Sequence, residues 1–330
     1  MGFHLPLIFA ILSLAAVALA NHAAQPAAQL YWNSVLPNTQ MPRTISELLH
    51  PDSTNEEKST NIMNAVGNGK PTDHNGKPKM KALFSGYTIQ VQYAGVPNSD
   101  NQLQYYKNMT IFFLGKDMRL GATMNFQFTR NSNTATFLPR ESAQSIPFSS
   151  NKLSEIFNHF SVKPTSVEAK TIKKTIEECE APGIKGEERY CATSLESMVD
   201  FSTSKLRTRN VQAISTEVLE KGATMSMHKY TTMPGLKKLA GDKVVVCHKE
   251  NYPYAVFFCH AIKQTAAYVL SLKGDDGVKV KAVTICHLDT SEWNPKHLAF
   301  QILKVKPGTI PICHFLSTDA IAWVPNHKSA

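Results

Sequence analysis

Four Cys-His dipeptides, Cys247-His248, Cys259-His260, Cys286-His287 and Cys313-His314, hold four of the six cysteines and four of the twelve histidines of this 330-residue chain. They are separated by 10, 25 and 25 residues. Sulfur can form disulfides or ligate as thiolate, and neutral imidazole binds copper, zinc, nickel or iron, with copper(II) leading the affinity order. Adjacent side chains on a strand point to opposite faces. Each Cys-His step would therefore send sulfur into one layer and imidazole into the other. Four such steps predict a sheet pinned by disulfides on one side, with His248, His260, His287 and His314 gathered on the other as a metal site. The competing reading is four separately satisfied core histidines. Asp289, Glu292 and His228 lie near enough in sequence to support such imidazoles, and Trp293 reads as a packing residue.

The compartment decides the state of the sulfur. Leu5 to Leu19 is apolar and ends in Ala18-Leu19-Ala20, which reads as a signal peptide over residues 1–20. The run is shorter than the about 20 residues a membrane span needs, so no membrane span is expected. In an oxidising lumen six cysteines allow three disulfides in fifteen connectivities. Cys179 with Cys191 is the strongest local pair, because Pro182-Gly183 between them can turn the chain back. Cys247, Cys259, Cys286 and Cys313 would then pair among the Cys-His strands. Thiolate sites for zinc or iron-sulfur usually use Cys-x2–4-Cys spacings, and none occurs.

At 42% apolar and 18% charged residues the composition is globular, and the net charge is +9. The densest basic patches, Lys70 to Lys81 and Lys163 to Lys174, carry no nucleic-acid motif, so a polyanion such as cell-wall polysaccharide is the expected partner type and nucleic acid is not. Asn108-Met109-Thr110 is an N-glycosylation acceptor at Asn108. Serine-hydrolase, zincin, phosphate-loop and dinucleotide motifs are missing from the sequence. A cysteine protease would need a free thiolate beside a histidine, which the even cysteine count and the strand geometry oppose.

The elements that must position these residues divide the chain. Residues 21–108 read as a leader or pro-region, partly disordered, because Pro51 to Lys81 lacks an apolar period; Tyr87 to Tyr93 alternates like a short strand. Residues 109–330 read as one domain. Thr110 to Leu114 and Ala122 to Thr129 are strand candidates. A helix is expected after Pro147, capped by Ser149 or Ser150, with Leu153, Ile156, Phe157 and Phe160 on one face. A second opens with Thr165-x-x-Glu168 and a third spans Tyr190 to Val199. Strands follow at Val211 to Val218, Lys243 to Cys247, Ala255 to Cys259, Ala267 to Leu272, Val278 to Cys286, Ala299 to Val305 and Ile321 to Val324. Asp275-Asp276-Gly277 suits a hairpin turn. The expected class is α+β, a helical N-terminal part packed on a mostly antiparallel sheet or barrel.

The four dipeptides, their spacing, Asp289-Thr290-Ser291-x-Trp293 after the third, Thr110-Ile111-Phe112-Phe113 and the Cys179/Cys191 pair together resemble the plant BURP domain, from about Met109 to Val324. Tyr31-Trp32-x-x-Val35-Leu36-Pro37-Asn38-Thr39-x-Met41-Pro42 is similar to the opening segment of legume and seed-type members. The resemblance implies a secretory protein of seed, vacuole, apoplast or cell wall. Some members are copper-dependent peptide cyclases, in which a core peptide in the leader is crosslinked through Tyr or Trp with dioxygen. By that resemblance His248, His260, His287 and His314 would be the copper(II) ligands and catalytic residues. The chain's own leader would be the substrate, with Tyr93, Tyr105 and Tyr106 the crosslink candidates. The resemblance leaves two functional classes: a copper-binding protein without turnover, and an autocatalytic cyclase.

Overall fold

The structure, a computed structural model, describes residues 26–49, 110–128, 133–220, 226–240 and 242–326. Residues 1–20, read above as a signal peptide, the Tyr87 to Tyr93 segment read as a strand, and Asn108, Tyr93, Tyr105 and Tyr106 lie outside the described residues.

An N-terminal arm carries helices α1 (Ala27–Val35) and α2 (Arg43–Leu49). Strands β1 (Phe113–Leu114) and β2 (Thr123–Phe126) follow. Next come the helices α3 (Arg140–Ser145), α4 (Leu153–His159) and α5 (Val167–Glu180), strand β3 (Glu187–Ala192) and helix α6 (Leu195–Leu206). The remaining strands are β4 (Val211–Ile214), β5 (Glu217–Val218), β6 (His228–Thr232), β7 (Lys237–Ala240), β8 (Val245–Lys249), β9 (Phe257–Ile262), β10 (Thr265–Gly274), β11 (Lys279–His287), β12 (Ile312–Phe315) and β13 (Ile321–Pro325). A short helix α7 (Leu298–Leu303) interrupts them. The fold is α+β, with the N-terminal helices packed against antiparallel sheet.

There are two sheets where the alternation argument pictured one. The first runs β3-β9-β8-β13-β4; the second runs β1-β12-β11-β10-β6-β2, with β5 beside β11 and β7 beside β10. Every pairing is antiparallel. Two-residue periodicity sorts their side chains into three layers. Val245, Cys247, Phe257, Cys259 and Trp323 of the first sheet join α6 and the arm in one core. Val280, Ala282, Cys286, Cys313 and Phe315 of the second sheet form another. Val246, Ala322 and Val324 meet Val269, Val283 and Ile285 in a third, drawn from both sheets. The sulfurs therefore occupy two outer cores, and the alternate positions on the same strands face the layer between the sheets.

Three disulfides use all six cysteines: Cys179–Cys191, Cys247–Cys259 and Cys286–Cys313. The last two join residues directly opposite in register on β8/β9 and β11/β12, with Cα–Cα distances of 3.9 and 4.0 Å. That close approach belongs to antiparallel positions that exchange no backbone hydrogen bonds.

The arm is anchored by Trp32, Leu36 and Ile45, all at most 1% exposed. The Trp32 ring lies 5.5 Å from that of Trp323 and its Nε1–H donates to the Thr39 carbonyl. Thr39 and Thr44 hydroxyls donate to the Val211 and Thr318 carbonyls, and Tyr31 donates to Asp200, which also pairs with Arg140 at 2.6 Å.

Several sequence expectations shift. The Tyr190 to Val199 segment is not one helix: Tyr190 and Cys191 alternate on β3, and Ser194, whose hydroxyl accepts from Ser197 N–H, starts α6 afterwards. Ala299 to Val305 is not a strand. His297 caps α7 by accepting from Ala299 N–H, and Lys304 ends it with φ of 54°. The cap of α5 is Ser166, not Thr165. Ser149 spends its hydroxyl on Glu180 instead of capping α4. The Asp275-Asp276-Gly277 hairpin forms between β10 and β11, with Gly277 at φ of 89°, where glycine carries no Cβ penalty.

Candidate metal centre

The layer between the sheets holds a cavity of about 10 Å³ lined by His248, His260, His287, His314, Val244, Val246, Thr265 and Ile285. Its histidines arrive as two pairs. The first sheet supplies His248 from β8 and His260 from β9, with Nε2 atoms 3.3 Å apart. The second supplies His287 from β11 and His314 from β12, with Nε2 atoms 3.4 Å apart and rings stacked at 17°. Within each pair the histidines are diagonal neighbours. With Cys247 opposite Cys259, His248 stands opposite Phe258 and His260 opposite Val246; with Cys286 opposite Cys313, His287 stands opposite Ile312 and His314 opposite Ile285. Both rings therefore lie on the face away from the sulfurs and reach each other across the diagonal.

All four rings are at most 6% exposed. Burial, reinforced by the neighbouring imidazoles His260 and His314, holds His248 well below the ordinary imidazole pKa. Burial does the same at His287, with His314 the next cause. Burial lowers His314 to about 4, against a hydrogen bond to the Phe315 carbonyl that pulls the other way. Neutral rings keep a lone pair for a ligand bond. Two nitrogens bound tetrahedrally at about 2.0–2.1 Å from a metal lie about 3.3–3.4 Å apart, which is the separation within each pair. Each pair taken by itself has the spacing of two nitrogens on one transition-metal ion. No three of the four offer nitrogens that all lie within 4.8 Å of one another, so the cavity presents two two-nitrogen faces and not one closed cage.

The model for the BURP domain matches residues 111–325. The chain belongs to the plant BURP-domain family. BURP domain protein RD22 of Arabidopsis thaliana is 40% identical over 98% of this chain and 99% of its own length. BURP domain-containing protein 5 of Oryza sativa subsp. japonica is 41% identical over 92% of this chain and 88% of its own length. BURP domain-containing protein 3 of the same species reaches 50% identity over 68% of this chain and 53% of its own length.

Within this BURP domain the carboxylate beside the histidines is Glu187, which sequence spacing did not single out. Its Oε1 lies 2.9 Å from His260 Nδ1, and its side chain is fully buried. Glu187 precedes His260 by 73 residues, so only the β3–β9 pairing reveals the contact. The expected supporters stand elsewhere. Asp289 is exposed and accepts from Ser291 N–H, and Glu292 pairs with Lys185 at the surface. His228 joins the β10–β11 hairpin, its Nδ1 3.0 Å from Asp275 and its Nε2 3.3 Å from Asp276. His228, Asp275 and Asp276 form the one group among the described residues whose three ligand atoms all lie within 4.8 Å, a small cluster that could chelate a metal ion. Trp293 is buried and stands 5.0 Å from the His287 ring, between it and His297. Among the described residues no helix is long and apolar enough to cross a membrane.

Proposed function

We propose that this BURP protein travels the secretory route to the apoplast, cell wall or vacuole and binds copper(II) through His248, His260, His287 and His314. The observation that carries the reading is the delivery of four buried imidazoles into one cavity, three of them held neutral by burial. Copper stands above zinc and nickel in affinity for imidazole at equal geometry. With every cysteine in a disulfide, no thiolate is left to favour copper(I). The disulfides and the apolar run before Ala20 support the secretory route. The similarity to seed-type members supports a seed, stress-response or wall-associated role, and the +9 charge favours a polyanionic wall partner. The test is metal analysis after loading with copper in the presence of equimolar zinc. Wild-type protein is expected to retain copper, and the four-His-to-Ala variant is expected to lose it together with its visible spectrum. Equal copper in both refutes the site; retained zinc refutes the choice of metal.

A second reading, an autocatalytic crosslink of the chain's own leader, is favoured by where the domain begins. Phe113 pairs with Cys313 on β12, and the Phe112 ring lies 6.3 Å from that of His314. Tyr105 and Tyr106 precede Phe112 by seven and six residues. At about 3.3–3.6 Å per residue, seven residues of chain reach at most about 25 Å from Phe112, and Tyr93 precedes Phe112 by nineteen residues. A bound copper ion would supply one-electron redox chemistry with dioxygen; the protein would hold a phenol close to one C–H bond. The phenol O–H and that C–H bond would break, one C–O bond would form between them, and the two hydrogens with their electrons would reduce dioxygen to hydrogen peroxide. Peptide mass spectrometry after copper and oxygen treatment is expected to show a loss of two hydrogens within residues 90–106. Unchanged peptides leave metal binding without turnover as the function.

A further inference from the structure

We infer that Glu187 is the positioning residue that fixes which nitrogen His260 offers to the cavity, an inference that rests on the metal-binding reading of the four histidines. On the β3–β9 ladder His260 stands opposite Arg189, so Glu187 is its diagonal neighbour two residues along, within reach of a long side chain. The carboxylate has no solvent contact. A buried charge of this kind persists only when it is paired and hydrogen-bonded, and each of its oxygens is engaged. Oε1 accepts from His260 Nδ1–H at 2.9 Å; Oε2 accepts from Ile184 N–H at 3.1 Å and lies 3.9 Å from Arg189 Nε. Arg189 is itself held, donating to the Ala181 and Glu178 carbonyls and lying 4.5 Å over the Phe258 ring.

A carboxylate only accepts, so His260 must carry its proton on Nδ1 and turn the Nε2 lone pair inward. That nitrogen is the one 3.3 Å from His248 Nε2. Without Glu187 the ring could equally place its proton on Nε2, where it would block ligation. The arrangement also gives a task to the disulfide outside the Cys-His dipeptides. Cys191 lies on β3, four residues after Glu187, and Cys179 in the last turn of α5 ties that strand in place. His314 has a neutral counterpart, since its Nδ1 is 3.3 Å from the Phe315 carbonyl. The carboxylate makes His260 the more strongly oriented donor.

The test uses the full mature chain and copper(II) alone, with affinity read by chelator competition, the copper EPR spectrum, and the ¹⁵N shifts of the His260 ring in metal-free protein. The Glu187→Gln variant is expected to bind copper about 10–100-fold more weakly and to show an altered EPR spectrum. Glu187→Asp should recover part of the affinity. His260→Ala should abolish the additional effect of Glu187→Gln, because the carboxylate acts only through that ring. If Glu187→Gln matches wild type in affinity and spectrum while His260→Ala loses copper, the inference is overturned and the metal reading stands. If His260→Ala binds copper like wild type, the metal reading itself falls. Should Glu187→Gln fail to fold, the ring shifts of metal-free wild-type protein decide: an Nδ1–H tautomer at His260 supports the inference, and an Nε2–H tautomer overturns it.

Discussion

Replacing Trp32 by alanine tests whether the N-terminal arm belongs to the folded unit. Trp32 is 1% exposed, packs on Trp323 and donates its indole N–H to the Thr39 carbonyl. Truncating a buried Trp costs about 3–5 kcal/mol, a sum of lost transfer energy and residual cavity. Trp323, Leu195 and Phe257 are themselves fully buried around the same core, which leaves little freedom to collapse into the hole and argues for the middle of that range, about 4 kcal/mol. For a domain of this size each kcal/mol moves the melting temperature by about 2–4 °C, so the expected fall is about 8–16 °C. The assay is a thermal melt of the oxidised protein, followed by near-ultraviolet circular dichroism. Leu30→Ala on the same helix is the control: Leu30 is 54% exposed, so its effect should stay within about 0.5 kcal/mol. A Trp32→Ala melt within about 2 °C of wild type would refute the placement of the arm in the cooperative core.

Three further outcomes follow from particular groups. The Cys286→Ala/Cys313→Ala double variant should lose about 3–4 kcal/mol in denaturant titration, from the loop entropy of a 27-residue closure; unchanged stability would show that the strands hold their register without it. Metal-free protein should lose stability as pH falls from about 6.5. The unfolded chain then takes up protons that buried His248, His287 and His314 refuse, and His314, lowered to about 4, accounts for about 3 kcal/mol by pH 4. A flat profile between pH 6.5 and 4 would contradict neutral burial. Glu250 has the opposite sign. Burial, with Glu178 and Asp319 nearby, raises its carboxyl well above the ordinary value against the pull of Lys174. The unfolded state sheds that proton near pH 4.3, so stability falls as pH rises above it. Glu250→Gln should melt higher than wild type at pH 7 and show no advantage at pH 4; equal melting at pH 7 would sink the argument.

The Cys-His alternation could be read in the sequence because strand side chains repeat every two residues, a rule that needs only local chain geometry. It correctly separated sulfur from imidazole on β8, β9, β11 and β12. The second sheet could not be read the same way, since nothing local says that β8/β9 and β11/β12 pair within different sheets and face each other. Glu187 was hidden for a related reason. Glu187-Glu188-Arg189 has the composition of a solvated turn, and its burial follows from β3 pairing with β9 some 70 residues later. The Leu298–Leu303 helix was misread because a short apolar run carries no period that distinguishes helix from strand. The capping imidazole of His297, which decides the matter, looked like one more histidine. The arm escaped because its apolar residues meet Trp323, nearly the whole chain away.

All three disulfides lie after residue 110, and none ties the arm to the rest. A single peptide-bond cut anywhere between Leu49 and Thr110 would thus turn one polypeptide into two that run apart on a denaturing gel yet migrate together under native conditions. Heat would then separate partners instead of unravelling one molecule, and the midpoint of that transition would climb with protein concentration.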